Sequence, residues 1–126
     1  GEVYLLAGRH DDARRSAHVA LASAIEHRER GYEGWALRLL AEIALRSDPA
    51  DVTRATDYAR RALAVAEELG MRPLAAHAHL ALGRSLAAAA DPADAKHHLA
   101  AAVELLVQMN MRAWIGPARD ALERLA

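Results

Sequence analysis

Residues 82–103 read LGRSLAAAADPADAKHHLAAAV, and two kinds of signal are written into them. The first is punctuation. In Asp91-Pro92-Ala93-Asp94 the first aspartate stands where a helix N-cap belongs, proline takes the first helical position, and the second aspartate lies in the first turn. An N-cap carboxylate accepts an orphan backbone N–H, proline has no N–H to leave unpaired there, and both acids favour the positive end of the helix. The second signal is a pattern of small residues. Ala95, Leu99, Ala102 and Val103 follow at spacings of four, three and one, which places them on one stripe of that helix.

Both signals recur. Asp48-Pro49-Ala50-Asp51 repeats the tetrapeptide, while Ala55, Ala59, Ala62, Leu63 and Ala13, Ala17, Ala20, Leu21 repeat the stripe. Helix stops are expected at Gly31 and Gly70, with Asn110 as their substitute, because these residues enter the left-handed conformation cheaply. Tyr32, Met71 and Met111 would then supply the apolar contact of a Schellman-type stop. This punctuation predicts a truncated helix over Glu2–Ala7. Six full ones follow at Asp12–Arg30, Glu33–Arg46, Pro49–Leu69, Pro73–Ala89, Pro92–Met109 and Ala113–Leu125. The total is about seven, joined by connections short enough to make sequential helices antiparallel neighbours.

The spacing is that of a repeat. Ala20, Ala62 and Ala102 lie 42 and 40 residues apart, and Gly31, Gly70 and Asn110 lie 39 and 40 apart. A first long helix about one turn longer than its counterparts reconciles the two. The intervening helices align as Trp35, Leu74, Trp114; Ala36, Ala75, Ile115; Leu39, Ala78, Ala118; and Ile43, Leu82, Leu122. A period near 40 built from helix pairs marks an all-α fold of the antiparallel helix-pair α-solenoid type. One domain over residues 1–126 is expected, with repeats at 1–31, 32–70 and 71–110 and a capping helix at 111–126.

Alanine has a physical reason to sit on the stripes, since antiparallel helices approach closely only where the contact residues are small. Arg60, Arg61, Glu67 and Glu68 on one helix, and Lys96, His97, Glu104 and Gln108 on another, face away from the stripes and predict an outer, solvated layer. Helices 33–46 and 73–89 are apolar nearly all round and belong between neighbours. On the last helix Trp114, Ala118, Ala121, Leu122 and Leu125 form one apolar stripe, as a cap requires. Opening at Gly1 rather than Met, the chain reads as a piece of a longer protein. Val3, Tyr4, Leu5 and Leu6 would belong to a helix without its partner, which leaves dimeric or end-to-end association of the fragment open.

These residues resemble the tetratricopeptide repeat (TPR) family. Leu82-Gly83 with Leu86, then Ala95, Leu99 and Ala102, look like a nearly whole repeat, and Tyr4, Gly8, Ala13, Ala17 and Ala20 look like part of another. The repeats exceed the standard length, and the usual proline after the second helix is missing. In both respects the chain is similar to the long-repeat variety at the C-terminal ends of large bacterial signalling proteins. Those proteins resemble class III adenylate or guanylate cyclases and maltose-regulator-like ATPases. The phrase from Ala66 to Leu74, its continuation to Gly83, and Met111-Arg112-Ala113-Trp114 are similar to wording found there. The resemblance implies a right-handed superhelix whose concave face is built from the first helix of each pair. Carried over by position, that face would present Arg38, Ala41 and Leu45, then His77, Leu80 and Arg84, then Pro117, Asp120 and Arg124.

Chemistry of other kinds finds little footing. The chain has no Cys, which removes disulfides, thiolate zinc sites and cysteine nucleophiles. Ser16, Ser23, Ser47 and Ser85 stand in no readable His–acid arrangement, and neither a Gly-x-Ser-x-Gly elbow nor a phosphate-binding glycine loop occurs. Of seven histidines, His77 and His79 point about 200° apart on a helix, His97 and His98 diverge similarly, and His10 falls in a turn. No catalytic residue, metal or cofactor is expected. With 16 Lys+Arg against 17 Asp+Glu the net charge is −1, which argues against electrostatic nucleic-acid binding. Arg14-Arg15 and Arg60-Arg61 have acids close by. No apolar run reaches the ~18–20 residues of a membrane span, and no signal peptide is legible, so a cytoplasmic location is expected.

The expected function is that of a noncatalytic protein–protein interaction or scaffolding module in a bacterial signalling or transcription-regulatory protein. Its partner would be a protein or peptide, with Arg38, His77, Arg84 and Arg124 among apolar patches receiving an acidic or amphipathic segment. The alternative is an intramolecular arm that controls an attached ATPase or nucleotide cyclase, the concave face being occupied by the same chain. Nucleic-acid binding is the remote third.

Overall fold

The computed structural model describes residues 2–47 and 50–125, with side chains from residue 9 onward. Its elements are six α-helices: α1 (Glu2–Glu26), α2 (Arg30–Arg46), α3 (Val52–Leu69), α4 (Arg72–Ala88), α5 (Pro92–Gln108) and α6 (Arg112–Glu123). No strand occurs among the described residues. Six replaces the expected seven because α1 does not break between Ala7 and Asp12. A glycine inside a helix costs only about 1 kcal/mol, so Gly8 alone is a weak stop. Asp11 and Asp12 do not cap; they reach forward to Arg14 and Arg15 one turn on. His10, expected in a turn, is accordingly helical. The side-chain roles expected of Val3, Tyr4, Leu5, Leu6 and Gly8 lie outside the described residues.

Helix starts follow the aspartates. Asp91 accepts the backbone N–H of Asp94, and Asp51 accepts that of Arg54 at 3.2 Å. The second start is three residues later than Asp48-Pro49 led us to expect: Ala50 and Asp51 are outside the helix, and α3 begins at Val52. The capping expected of Asp48 and Pro49 themselves lies outside the described residues.

The stops correct the register. Left-handed backbone occurs at Arg28 (φ 56°), Gly70 (φ 66°), Ala90 (φ 59°) and Asn110 (φ 55°). After each one, the next N–H returns to a carbonyl five residues back: Glu29 to Ala24, Met71 to Ala66, Asp91 to Leu86, and Met111 to Leu106, at 2.8–2.9 Å. This is the longer bond of the Schellman motif. Gly31, expected as the first stop, lies instead in the first turn of α2, and Tyr32 is 70% exposed rather than packed on the helix end. Arg28, Gly70 and Asn110 stand 42 and 40 apart, the same intervals as Ala20, Ala62 and Ala102. No extra turn in the first long helix is needed. The connection 47–51 is two residues longer than 89–91, so α2 aligns with α4 at an offset of 42 rather than 39. Ala36, Ala78 and Ala118 then share a row, all buried, whereas Leu39, earlier aligned with the last two, is exposed.

Each helix packs on the next, and α2 also packs on α4. Helix α4 is the most enclosed: Leu74, Ala78 and Leu82 join the core shared with α1, α2 and α3, while Ala76 and Leu80 join the core shared with α5 and α6. The expected outer residues Arg60, Arg61, Glu67, Glu68, Lys96, His97, Glu104 and Gln108 are all exposed. Small residues set the closest approaches. A Cβ on Gly83 would stand 2.5 Å from the Leu99 side chain, and one on Gly34 would stand 2.5 Å from Leu74. Ala55, Ala59, Ala62, Ala95 and Ala102 have no exposed surface, but of the α1 stripe Ala17 and Leu21 are buried and Ala13 and Ala20 are exposed. Among the described residues no helix is long and apolar enough to cross a membrane.

Candidate functional site

Trp35, Arg38 and Glu42 follow one another at three- and four-residue spacing, so α2 presents them on one face. The Trp35 ring meets His77 of α4 edge to face at 5.6 Å, and His77 meets Trp114 of α6 at 4.6 Å and 87°. The Arg38 guanidinium lies 5.8 Å from both indole centroids and pairs with Glu42 at 3.0 Å. Each such cation–aromatic contact is worth about 0.5–2 kcal/mol depending on desolvation. A single row therefore ties α2, α4 and α6 together. Its interior is dry enough to matter. Burial, with the Arg38 charge second, pulls the His77 pKa from 6.5 to about 4. His77 Nδ1 and Arg38 Nε are both buried without a hydrogen-bond partner among the described residues, a condition rare among polar atoms of folded proteins.

The residues expected on the concave face divide in two. Arg38 and His77 belong to this row, but His77 is itself buried at 6% exposure, and Ala41 and Leu80 are fully buried in the core; none of these three is available to a ligand, which corrects their assignment. Ala41 packs among the α2–α4 contacts, and Leu80 faces α5 and α6; the residues around them, not they, reach the surface. Leu45 is half-buried. Arg84, Pro117, Asp120 and Arg124 come together on the wall of a cavity of about 420 Å³. A second cavity of about 400 Å³ lies at the start of α2, lined by Tyr32, Trp35 and Met71 with Glu29 and Gly31.

The sequence aligns Trp35 with Leu74 and Trp114. In the observed register Trp35 aligns with His77 and Pro117, and both indoles are only partly buried. The 42-residue interval from Arg28 to Gly70 carries that register, but arginine is not a residue that marks a left-handed stop. A second pairing was not legible. His79 of α4 and His98 of α5 bring their Nδ1 atoms to 3.0 Å, with ring centroids 5.2 Å apart, so the two nitrogens point at each other and share one proton. Burial, then His98 and His97, lowers His79 to about 4, and burial, then His97, lowers His98. His10 Nε2 lies 3.0 Å from Ser47 Oγ, whose own proton goes to the Ile43 carbonyl. Among the described residues no three His, Asp or Glu side chains converge as metal ligands would.

The basic doublets are partnered locally. Arg14 and Arg15 pair with Asp11 and Asp12, and Arg61 with Asp57 at 3.8 Å. Arg30 bridges from α2 to Glu68 at the end of α3, and its hydrogen bonds to Glu68 and Glu33 raise its pKa. No family model matches this chain, and no curated protein matches it either.

Proposed function

We propose that the chain is a noncatalytic protein–protein interaction module, a TPR-like right-handed α-solenoid of a bacterial signalling or transcription-regulatory protein, at work in the cytoplasm. Its binding face is the row formed by α2, α4 and α6. The observation that carries this reading is the Trp35–Arg38–His77–Trp114 cluster, which crosses alternate helices and leaves two buried polar atoms without partners. Aromatic and arginine side chains gathered in one patch are what protein interfaces use as anchors. The solenoid reading is supported by the packing of each helix on its successor and of α2 on α4. It is supported also by the left-handed stops that end α1, α3 and α5, at Arg28, Gly70 and Asn110, which recur at 42 and 40 residues.

The test is affinity capture with the wild type beside an Arg38→Glu/Arg84→Glu variant whose helicity is verified by circular dichroism. A protein retained by the first and lost by the second is the expected result. Equal capture by both, or none by either, overturns binding in trans. The resemblance of the Ala66–Gly83 phrase to the C-terminal regions of large signalling proteins favours a second reading, an intramolecular arm occupying the same face. Under that reading the same double variant changes the activity of the attached catalytic region with no added partner.

A further inference from the structure

The cavity walled by Arg84 and Arg124 holds an electrostatic imbalance. Arg84 is half-buried, and burial is the main cause lowering its pKa, with Arg46 and Arg124 adding to the strain and Glu42 opposing it. Glu42, the acid placed to relieve it, is engaged with Arg38 at 3.0 Å. Among the described residues neither Arg84 nor Arg124 has a carboxylate within ion-pair distance. A guanidinium withdrawn from water and left unpaired is costly, and an anion relieves that cost.

The rest of the lining narrows the anion. Asp120 stands on the same wall, and Arg46 also bears on Arg84 while Glu42 is taken up by Arg38, so positive charge is in excess around the cavity. A carboxylate offsets part of that excess, and its apolar body covers lining that an inorganic phosphate would leave bare. Ala87, Pro117, Ala121 and Leu125 complete the wall with apolar surface, and about 420 Å³ is within the usual range of a ligand pocket. We propose that this cavity receives a carboxylate carried on an apolar body, supplied by an acidic side chain with apolar neighbours in a peptide segment. The inference rests on the reading of the α2–α4–α6 face as a binding face, and it assigns that face an anionic end.

The experiment is a set of NMR titrations of the isotope-labelled chain with hexanoate, hexan-1-ol, inorganic phosphate, and the blocked tripeptide acetyl-Leu-Glu-Leu-amide with its Gln counterpart. Hexanoate and the Glu tripeptide should shift amides around Arg84 and Arg124. Hexanol and the Gln tripeptide should bind at least about tenfold more weakly, the usual loss when a charge-assisted hydrogen bond is removed. Arg124→Gln, at an exposed position, should weaken hexanoate by a similar factor, and Arg61→Gln should leave it unchanged. Equal affinities for hexanoate and hexanol, or an unaltered Arg124→Gln, would overturn the site. Phosphate binding more tightly than hexanoate would overturn the assignment to a carboxylate on an apolar body. Hexanoate binding more tightly than the Glu tripeptide would make the ligand a free acid and overturn the peptide assignment. Because hexanoate reads the cavity alone, its binding with no partner captured sinks only the interaction module. Capture without hexanoate binding sinks only the carboxylate seat.

Discussion

Gly83 shows how much a single side chain decides. An added Cβ would meet the Leu99 side chain at 2.5 Å and the Leu99 backbone nitrogen at 3.2 Å, so neither a rotamer change nor a small shift clears it. Gly83→Ala should therefore destabilise by about 1–3 kcal/mol through overpacking. Gly31→Ala is the contrast, since its Cβ would find only the flexible end of Met71 at 3.7 Å. There the gain in helix propensity should stabilise by roughly 0.5 kcal/mol. Urea denaturation of the two variants checks both signs. Histidines supply the other residue-scale prediction. His77 and His79 have native pKa values near 4 against 6.5 when unfolded, so the unfolded chain binds more protons between those values. Stability is then complete above about pH 6.5 and falls as pH drops toward 4, by at most about 1.4 kcal/mol per pH unit for each histidine. The urea midpoint should fall between pH 7 and pH 5, and His77→Gln/His79→Gln should flatten that dependence whatever its effect on stability at pH 7.

At the scale of the helix, the ends carry unspent stability. Arg28 and Ala90 hold φ of 56° and 59°, a region that strains any residue with a Cβ and suits glycine. Arg28→Gly and Ala90→Gly should each raise stability by about 0.5–1 kcal/mol in thermal unfolding. Asn110→Gly should gain less, because asparagine already tolerates the left-handed region. At the opposite ends, Asp51→Ala and Asp91→Ala should each cost about 1 kcal/mol, both carboxylates accepting a backbone N–H of the first turn. Equal responses at Arg28 and Asn110 would mean that the left-handed strain is not what distinguishes them.

Across the whole molecule, stability resides in a core that every helix helps to close. Leu63 lies in the cluster joining α1, α2, α3 and α4, while Arg61, two residues away, is exposed and pairs with Asp57 at 3.8 Å. Leu63→Ala should cost about 2–5 kcal/mol by lost burial and a residual cavity. Arg61→Ala should stay within about 1 kcal/mol, the ordinary worth of a surface ion pair. Similar losses from both, measured by urea denaturation, would mean that the outer and inner faces of α3 had been exchanged. The face formed by α2, α4 and α6 belongs to this scale as well. Trp35, His77 and Trp114 are 42 and 37 residues apart in sequence, and only the stacking of alternate helices brings them within ring contact.

The chain alone determined the helical class, the start of α5, the stops at Gly70 and Asn110, and the division of residues such as Ala62 and Glu67 between core and solvent. Those follow from local chemistry: proline and aspartate at a first turn, left-handed backbone at a last one, and the 3.6-residue period of burial. Tertiary structure decided the rest. Local chemistry favours Gly31 over Arg28 as a stop, since arginine is a poor left-handed residue, and yet the helix ends at Arg28. Ala41 and Leu80 are core although their helix positions suit a concave surface, because position within a helix does not reveal what a neighbouring helix covers. Arg38 poised between two indoles, His79 head-on with His98, and an unpaired Arg84 beside Arg124 are likewise distances between helices. Such distances are set by the small residues at each contact and by the lengths of the connections, and a helix's own periodicity carries neither.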